Sequence, residues 1–331
     1  MRGVVTVGVD GSAPGLAAAA CAAREAEVRG AVLHVVHAHS WPMAHASLDR
    51  VLSRAKRARL RETADRLLED AVARACSAAP GVDVSARVVQ GDPLTVLRAE
   101  SGRADLVVVG SRGPAAPAGP WRGATAAGLA ARGRCPVLVV PGPGDARGPV
   151  VLGVDGSPSG AEAVRFAFDE AARCGAPLLA LHAWTTQSTS PATAAGPPPA
   201  AGSPAAGPGG GTAAEERLLA EAVAGRRERY PEVAVEARLV AGAPREALVE
   251  ASRTARLTVV GSRGRTGFAG LRPGSVSAAL LLRAHGPVAV VRGAPHDDRA
   301  TGGARDASAR QEARHGRAGP GTRAEESRAS R

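Results

Sequence analysis

The chain has 331 residues, 44% hydrophobic but only 2% aromatic, so its core must be built from Val, Leu and Ala. That composition suits buried parallel strands between Ala-rich helices, and the length suits two domains that each bury a core. The formal charge of +11 is nearly all arginine, with Lys56 the sole lysine, and no basic run is interleaved with stacking aromatics, which argues against a nucleic-acid surface.

Taken in chain order, short Val-rich runs predict strands near 4–9, 31–38, 82–90, 105–110 and 135–140. Ser12-Ala13-Pro14 supplies an N-cap and a first-turn proline, which starts a helix directly after the first strand. Val51, Leu52, Ala55, Ala64, Leu67, Leu68, Ala71, Val72 and Ala75 recur at helical spacing and predict one long amphipathic helix. Cys21, Cys76, Cys135 and Cys174 share no metal-like or redox spacing and read as reduced, mostly buried thiols. Met1 leads straight into a strand-like run without a charged leader, and no apolar stretch reaches membrane-spanning length. A soluble, cytoplasmic protein without a membrane partner is expected.

The chain then repeats itself. Val7-Gly8-Val9-Asp10-Gly11-Ser12 returns as Leu152-Gly153-Val154-Asp155-Gly156-Ser157, and Val36-His37-Ala38 as Leu181-His182-Ala183, both 145 residues on. Gly91-Asp92-Pro93 returns as Gly242-Ala243-Pro244, and the run from Leu106 to Gly113 as that from Leu257 to Gly264, both 151 residues on. Matches in one order identify a duplication with a net insertion of six residues between Ala183 and Gly242. Ser157-Pro158 repeats the helix-starting cap. The strand–helix alternation of each copy demands a parallel sheet with right-handed crossovers. The expected organisation is a first domain over 1–141, a linker over 142–148 and a second domain over 149–293. A Pro/Ala/Gly-rich loop is expected over about 187–212 and a disordered tail over 294–331.

In an open parallel sheet, ligands bind outside the carboxyl ends of the strands, where the order reverses. If the order is 3-2-1-4-5, Asp10 and Gly110 end neighbouring strands, as do Asp155 and Gly261, and an acid would face a glycine loop across each crevice. In the second copy Gly261-Ser262-Arg263-Gly264, nine residues, then Gly274-Ser275-Val276 opening a helix make a phosphate cradle. The glycines let backbone N–H groups approach an anion, the helix start adds donors and its dipole, and Arg263 or Arg265 adds charge.

These motifs resemble the universal stress protein family in its ATP-binding tandem form, whose pattern is G-x-x-G, nine residues, then G-[ST]; Gly261 through Ser275 match it fully. The resemblance covers about 2–141 and 148–292. It implies two tandem flavodoxin-like (adenine nucleotide alpha hydrolase-like) α/β domains, each a five-stranded parallel sheet of order 3-2-1-4-5 with helices on both faces. It also implies ATP, with or without Mg, as the cofactor. Val154 and Asp155 would sit at the adenosine end, Ala183 would line the base pocket, and Val260 and Gly261 would flank base and ribose. Arg263, Gly264, Gly274, Ser275 and Val276 would hold the phosphates. In the first copy Val9, Asp10, Ala38, Val109, Gly110, Arg112, Gly113 and Gly123 take the same places. There Ala124 stands where the family has Ser or Thr, with Thr125 one position late, and Pro114 to Arg122 holds three prolines. Both sites are expected to be nucleotide-shaped, with the second the tighter.

The plainer readings belong beside these. Asp10 and Asp155 could be turn aspartates, and His34, His37 and His39 tempt a metal assignment. His34 and His37 face opposite sides of a strand, however, so His37 and His182 read as packed, hydrogen-bonded residues. Trp41, Trp121 and Trp184 read as packing anchors. No G-x-x-x-x-G-K-[ST], no G-x-G-x-x-G after the first strand and no nucleophile–base pair is present, so no catalytic residue is assigned. The function expected is a nucleotide-dependent stress-response regulator read by a protein partner. A slow ATPase or nucleotidyl-transfer enzyme and a ligand-free association module are the alternatives. The two copies are expected to pair within the chain through their last strands, with homodimerisation open.

Overall fold

A computed structural model describes residues 2–39, 54–111, 123–142, 147–157, 160–185, 210–264 and 274–293. The first half runs β1 (Val4–Gly8), α1 (Ala13–Arg29), β2 (Val32–His39), α2 (Arg54–Ala78), β3 (Val84–Gln90), α3 (Pro93–Glu100), β4 (Leu106–Gly110), α4 (Ala124–Arg132) and β5 (Val137–Val140). The second runs β6 (Val150–Gly153), α5 (Ala161–Cys174), β7 (Leu178–Trp184), α6 (Gly210–Arg227), β8 (Val235–Ala241), α7 (Pro244–Ala251), β9 (Leu257–Gly261), α8 (Ser275–Arg283) and β10 (Val288–Val291).

Each half is a parallel sheet of order 3-2-1-4-5, and the two join into one ten-stranded sheet, β3-β2-β1-β4-β5-β10-β9-β6-β7-β8. The join is the antiparallel pair β5–β10, with Leu138 opposite Ala289. It gives each half's last strand a partner on the side that would otherwise be an open edge. Successive residues of β5 alternate between cores: Leu138 and Val140 face the helices α1 and α5, whereas Val137 and Val139 pack with Leu97 and Leu129 of α3 and α4. That two-sided burial is why the strands read as unbroken Val/Leu runs; each such side chain taken out of water stabilises the fold by roughly 1.5–3 kcal/mol. Ala18, Ala19, Ala22, Ala23 and Ala26 of α1 are fully buried, so this helix lies close on the sheet without aromatic filling.

Three details differ from the sequence expectations. The thiols are not mostly buried. Cys76 is exposed, because it lies one residue beyond the buried Ala75 and so off the inward stripe of α2, and the other three are half-buried. Burial nevertheless pushes the Cys21 and Cys135 thiols up to about 12. Gly210, Gly211 and Thr212, expected in the loop, belong to α6, whose inward Leu219 and Val223 anchor the helix that grows back over them. The second-copy cap also shifts: α5 starts at Ala161 with Gly160 at its N-cap, and the Ser157 hydroxyl accepts the Gly160 N–H at 3.1 Å. In the first copy Ser12 itself caps α1. The long helix is described from Arg54, so Val51 and Leu52 lie outside the described residues, as do 186–209 and the tail from 294.

Candidate functional site

The first strand of each half ends in a tight aspartate turn. Asp155 Oδ1 accepts the Ser157 N–H at 2.9 Å and the Ser157 hydroxyl at 2.7 Å. Asp10 does the same with Ser12, at 3.0 and 2.6 Å. One oxygen of each acid is therefore the turn residue of the plainer reading. In the second half the other oxygen looks elsewhere: a Cβ added to Gly264 would stand 3.3 Å from Asp155 Oδ2. Acid and glycine loop face each other at the carboxyl ends of neighbouring strands, with Leu152 of β6 in register with Val259 of β9. Gly156 holds the turn at φ +69°, against Leu218 of α6, a conformation L side chains rarely adopt.

The loop after β9 is tied at both ends. Ser262 donates its N–H to the Val291 carbonyl at 2.8 Å, and Gly274 donates its own to the Ser262 carbonyl at 3.0 Å. That second bond sets the start of α8 against the loop. The N–H groups of Ser275, Val276 and Ser277 precede the first helical bond, from Ala278 N–H to the Gly274 carbonyl. They are first-turn donors at the positive end of the helix dipole, the arrangement that binds an anion. Ser275, Arg263 and Gly264 are exposed, whereas Ser277 is buried and donates its hydroxyl to the Gly274 carbonyl at 3.0 Å. Sequence reasoning missed Ser277, whose only signal was its place one helical turn past Gly274.

Ala183 lies nearly buried at the end of β7, next to His182. His182 Nδ1 donates to the Val154 carbonyl at 2.6 Å, and Nε2 meets Glu215 Oε2 of α6 at 2.9 Å. In the first half His37 Nδ1 donates to the Val9 carbonyl at 2.9 Å. Both histidines thus fasten the second strand to the first. Glu215 was not foreseen; the repeat places Ala64 at its equivalent in the first half.

Of the candidate residues, Val154, Asp155, Val260, Gly261, Arg263, Gly264, Gly274, Ser275 and Val276 gather around the carboxyl ends of β6 and β9, with Ala183 one strand over. In the first half Val9, Asp10, Ala38, Val109 and Gly110 hold the equivalent positions, and Gly110 abuts the Pro14–Gly15 backbone at the start of α1. The helix entry differs. Gly123 sits at φ +84°, where a Cβ would come within 2.6 Å of the Ser111 carbonyl oxygen, whereas Gly274 has φ −59°. Ala124 and Thr125 follow Gly123 as the first two residues of α4. Arg112, Gly113, Trp41, Trp121, Arg265 and the segment from Pro114 to Arg122 lie outside the described residues. Among the described residues no His, Cys, Asp and Glu side chains group as a metal site, and no helix is long and apolar enough to cross a membrane.

Fold and site together define a tandem α/β protein with a 3-2-1-4-5 parallel sheet in each half and, in the second half, an acid facing a glycine loop. The universal stress protein family profile matches residues 1–141 and 147–292, and the chain belongs to that family. It is similar to Universal stress protein Rv1996 of Mycobacterium tuberculosis, at 33% identity over 305 residues, covering 87% of this chain and 94% of the relative. Universal stress protein Rv2005c of the same organism is 36% identical over 299 residues, covering 87% and 96%. A solved universal stress protein of Archaeoglobus fulgidus superposes with a TM-score of 0.61 at 16% identity, over 87% of this chain and 97% of that one, a likeness of fold.

Proposed function

We propose that this tandem universal stress protein binds ATP in its two crevices, more tightly in the second half, and acts as a nucleotide-dependent stress-response regulator whose loaded state a protein partner reads. The observation that carries the reading is Asp155 Oδ2 facing Gly264, beside the first-turn donors of α8. The residues fit the ligand. A side chain at Gly264 would crowd the acid, whereas its absence leaves backbone open to a phosphate. Asp155 Oδ2 would accept a ribose hydroxyl or hold Mg, and Ser275 would add a hydroxyl to the phosphates. The first half has Ala124 in place of Ser275. One missing charge-assisted hydrogen bond costs roughly 1.5–3 kcal/mol, about ten- to a hundredfold in affinity.

Calorimetric titration of ATP into the full chain and into Gly264→Ala and Gly113→Ala variants tests the ranking. The tight phase should vanish with Gly264→Ala and survive Gly113→Ala; loss only with Gly113→Ala overturns it. Retention of ATP without multiple-turnover phosphate release supports the regulator. Phosphate release abolished by Asp155→Ala would instead make the chain an ATPase.

A further inference from the structure

The duplication also produced a pair of related cavities at the seam between the halves, and they have diverged. One, of about 300 Å³, lies between the start of β1 and α5, lined by Phe166, by Asp105 and Asp169, and by Arg29, Arg165 and Arg173. Its counterpart, of about 770 Å³, lies between the end of β5 and α1 and shares no residue with either crevice. The repeat offsets pair Phe166 with Cys21, Asp169 with Arg24, Asp105 with Arg256 and Pro136 with Pro287, and each partner lines the corresponding cavity. At these paired positions one cavity holds a phenyl ring and two carboxylates, and the other a small thiol and two guanidinium groups. The exchange widens the second cavity and makes it more basic than the first, where Arg29, Arg165 and Arg173 stand beside the two aspartates.

Its floor is apolar, with Ala17, Leu138, Val140, Val150, Ala255 and Leu257. Its walls carry Arg24, Arg74, Arg147, Arg253, Arg256 and His285 against two carboxylates, Glu25 and Glu170. Both carboxylates are already engaged: Glu25 with Arg29 at 3.2 Å, and Glu170 with Arg29 and, at 2.8 Å, with Arg173. Arg253 pairs with Glu250 at 2.8 Å. Among the described residues Arg24, Arg74, Arg147 and Arg256 have no carboxylate partner. Guanidinium groups favour oxyanions through bidentate hydrogen bonds, and a cavity of this volume is the size of a small-molecule site.

We propose that the arginine-lined seam cavity binds a small amphiphilic organic anion, its anionic head on the guanidinium groups and its apolar body on the Leu138–Leu257 floor. Occupancy would touch both halves at once, since α1 and β5 belong to one and β6 and β9 to the other.

Octyl phosphate is the probe, titrated calorimetrically into the full chain saturated with ATP. One molecule should bind per chain, about tenfold or more tightly than inorganic phosphate or octanol, each of which offers only half of the match. Arg24→Glu with Arg147→Glu, both at exposed positions, should weaken binding about tenfold or more while leaving the melting temperature and ATP binding unchanged. Cys21→Phe, which copies the other cavity, should abolish binding with every arginine in place; should that chain fail to fold, the arginine variant decides. Equal affinity for octyl phosphate and inorganic phosphate overturns the proposal. So does unchanged binding in the arginine variant, or displacement of the probe by ATP.

Discussion

His37 and His182 hold equivalent places, each fastening its second strand to the carbonyl that ends the first, yet among the described residues only His182 has a carboxylate on its other nitrogen. A carbonyl can only accept, so Nδ1 carries a hydrogen, and a proton must lie between Nε2 and Glu215. Replacing Glu215 with Leu leaves a buried ring nitrogen without its partner and should cost about 1–3 kcal/mol in urea unfolding. Ala64→Leu at the equivalent position should show no such polar loss. The histidines themselves were legible, because alternation on a strand forbids His34 and His37 from sharing a ligand. Glu215 was not, because the chain reaches it only after the Pro/Gly-rich insertion, which erases the register on which its pairing depends. At the same scale, Ala124→Ser supplies the hydroxyl missing from the first crevice. On the proposed function it should tighten the weaker ATP phase about tenfold, read by titration.

Equivalent helices in the two halves start differently, and the differences make measurable predictions. Asp92 caps α3 by accepting the Thr95 N–H at 2.9 Å, while Ala243 at the head of α7 has no side-chain cap. The two caps share a backbone, φ −63° and ψ 131° against φ −71° and ψ 128°. Ala243→Asp should therefore stabilise the chain by about 1 kcal/mol in urea unfolding. Gly123 and Gly274 are alike in sequence but not in conformation. Gly123→Ala should cost at least about 1–2 kcal/mol, since an L side chain at φ +84° is strained and would meet the Ser111 carbonyl. Gly274→Ala, whose Cβ finds its nearest neighbour at 3.4 Å, should leave stability almost unchanged. The pattern of glycines announced a cradle in both copies; the different backbone angles of Gly123 and Gly274 were not written in it, because glycine tolerates either.

The halves are joined by the β5–β10 pair and by a buried charge cluster that crosses the seam, in which Glu170 of α5 meets Arg29 of α1. Burial and then the Glu25 carboxylate push the Glu170 carboxyl up to about 8, against the pull of Arg29 and Arg173. A carboxyl whose folded value exceeds its ordinary 4.5 holds its proton more tightly in the folded chain. Its stabilising contribution is whole below about 4.5 and is lost as pH rises through about 8. The melting temperature should fall across that window by more in the wild-type chain than in Glu170→Gln; equal slopes would remove Glu170 as the cause. By itself the sequence determined the duplication and the strand–helix alternation of each half; with the strand order that the family resemblance implies, it also set an acid opposite the glycine loop. The first two follow from repeat spacing and local periodicity, and the third from the rule that neighbouring parallel strands present their carboxyl ends to one crevice. Only the tertiary structure decided that Glu215 meets His182, that Gly123 and Gly274 bend differently and that Arg24 and Arg256 share a cavity across the seam. The physical reason is that such contacts join residues separated by a loop of unwritten geometry or by the whole length of a domain, where packing, not pattern, sets the distance.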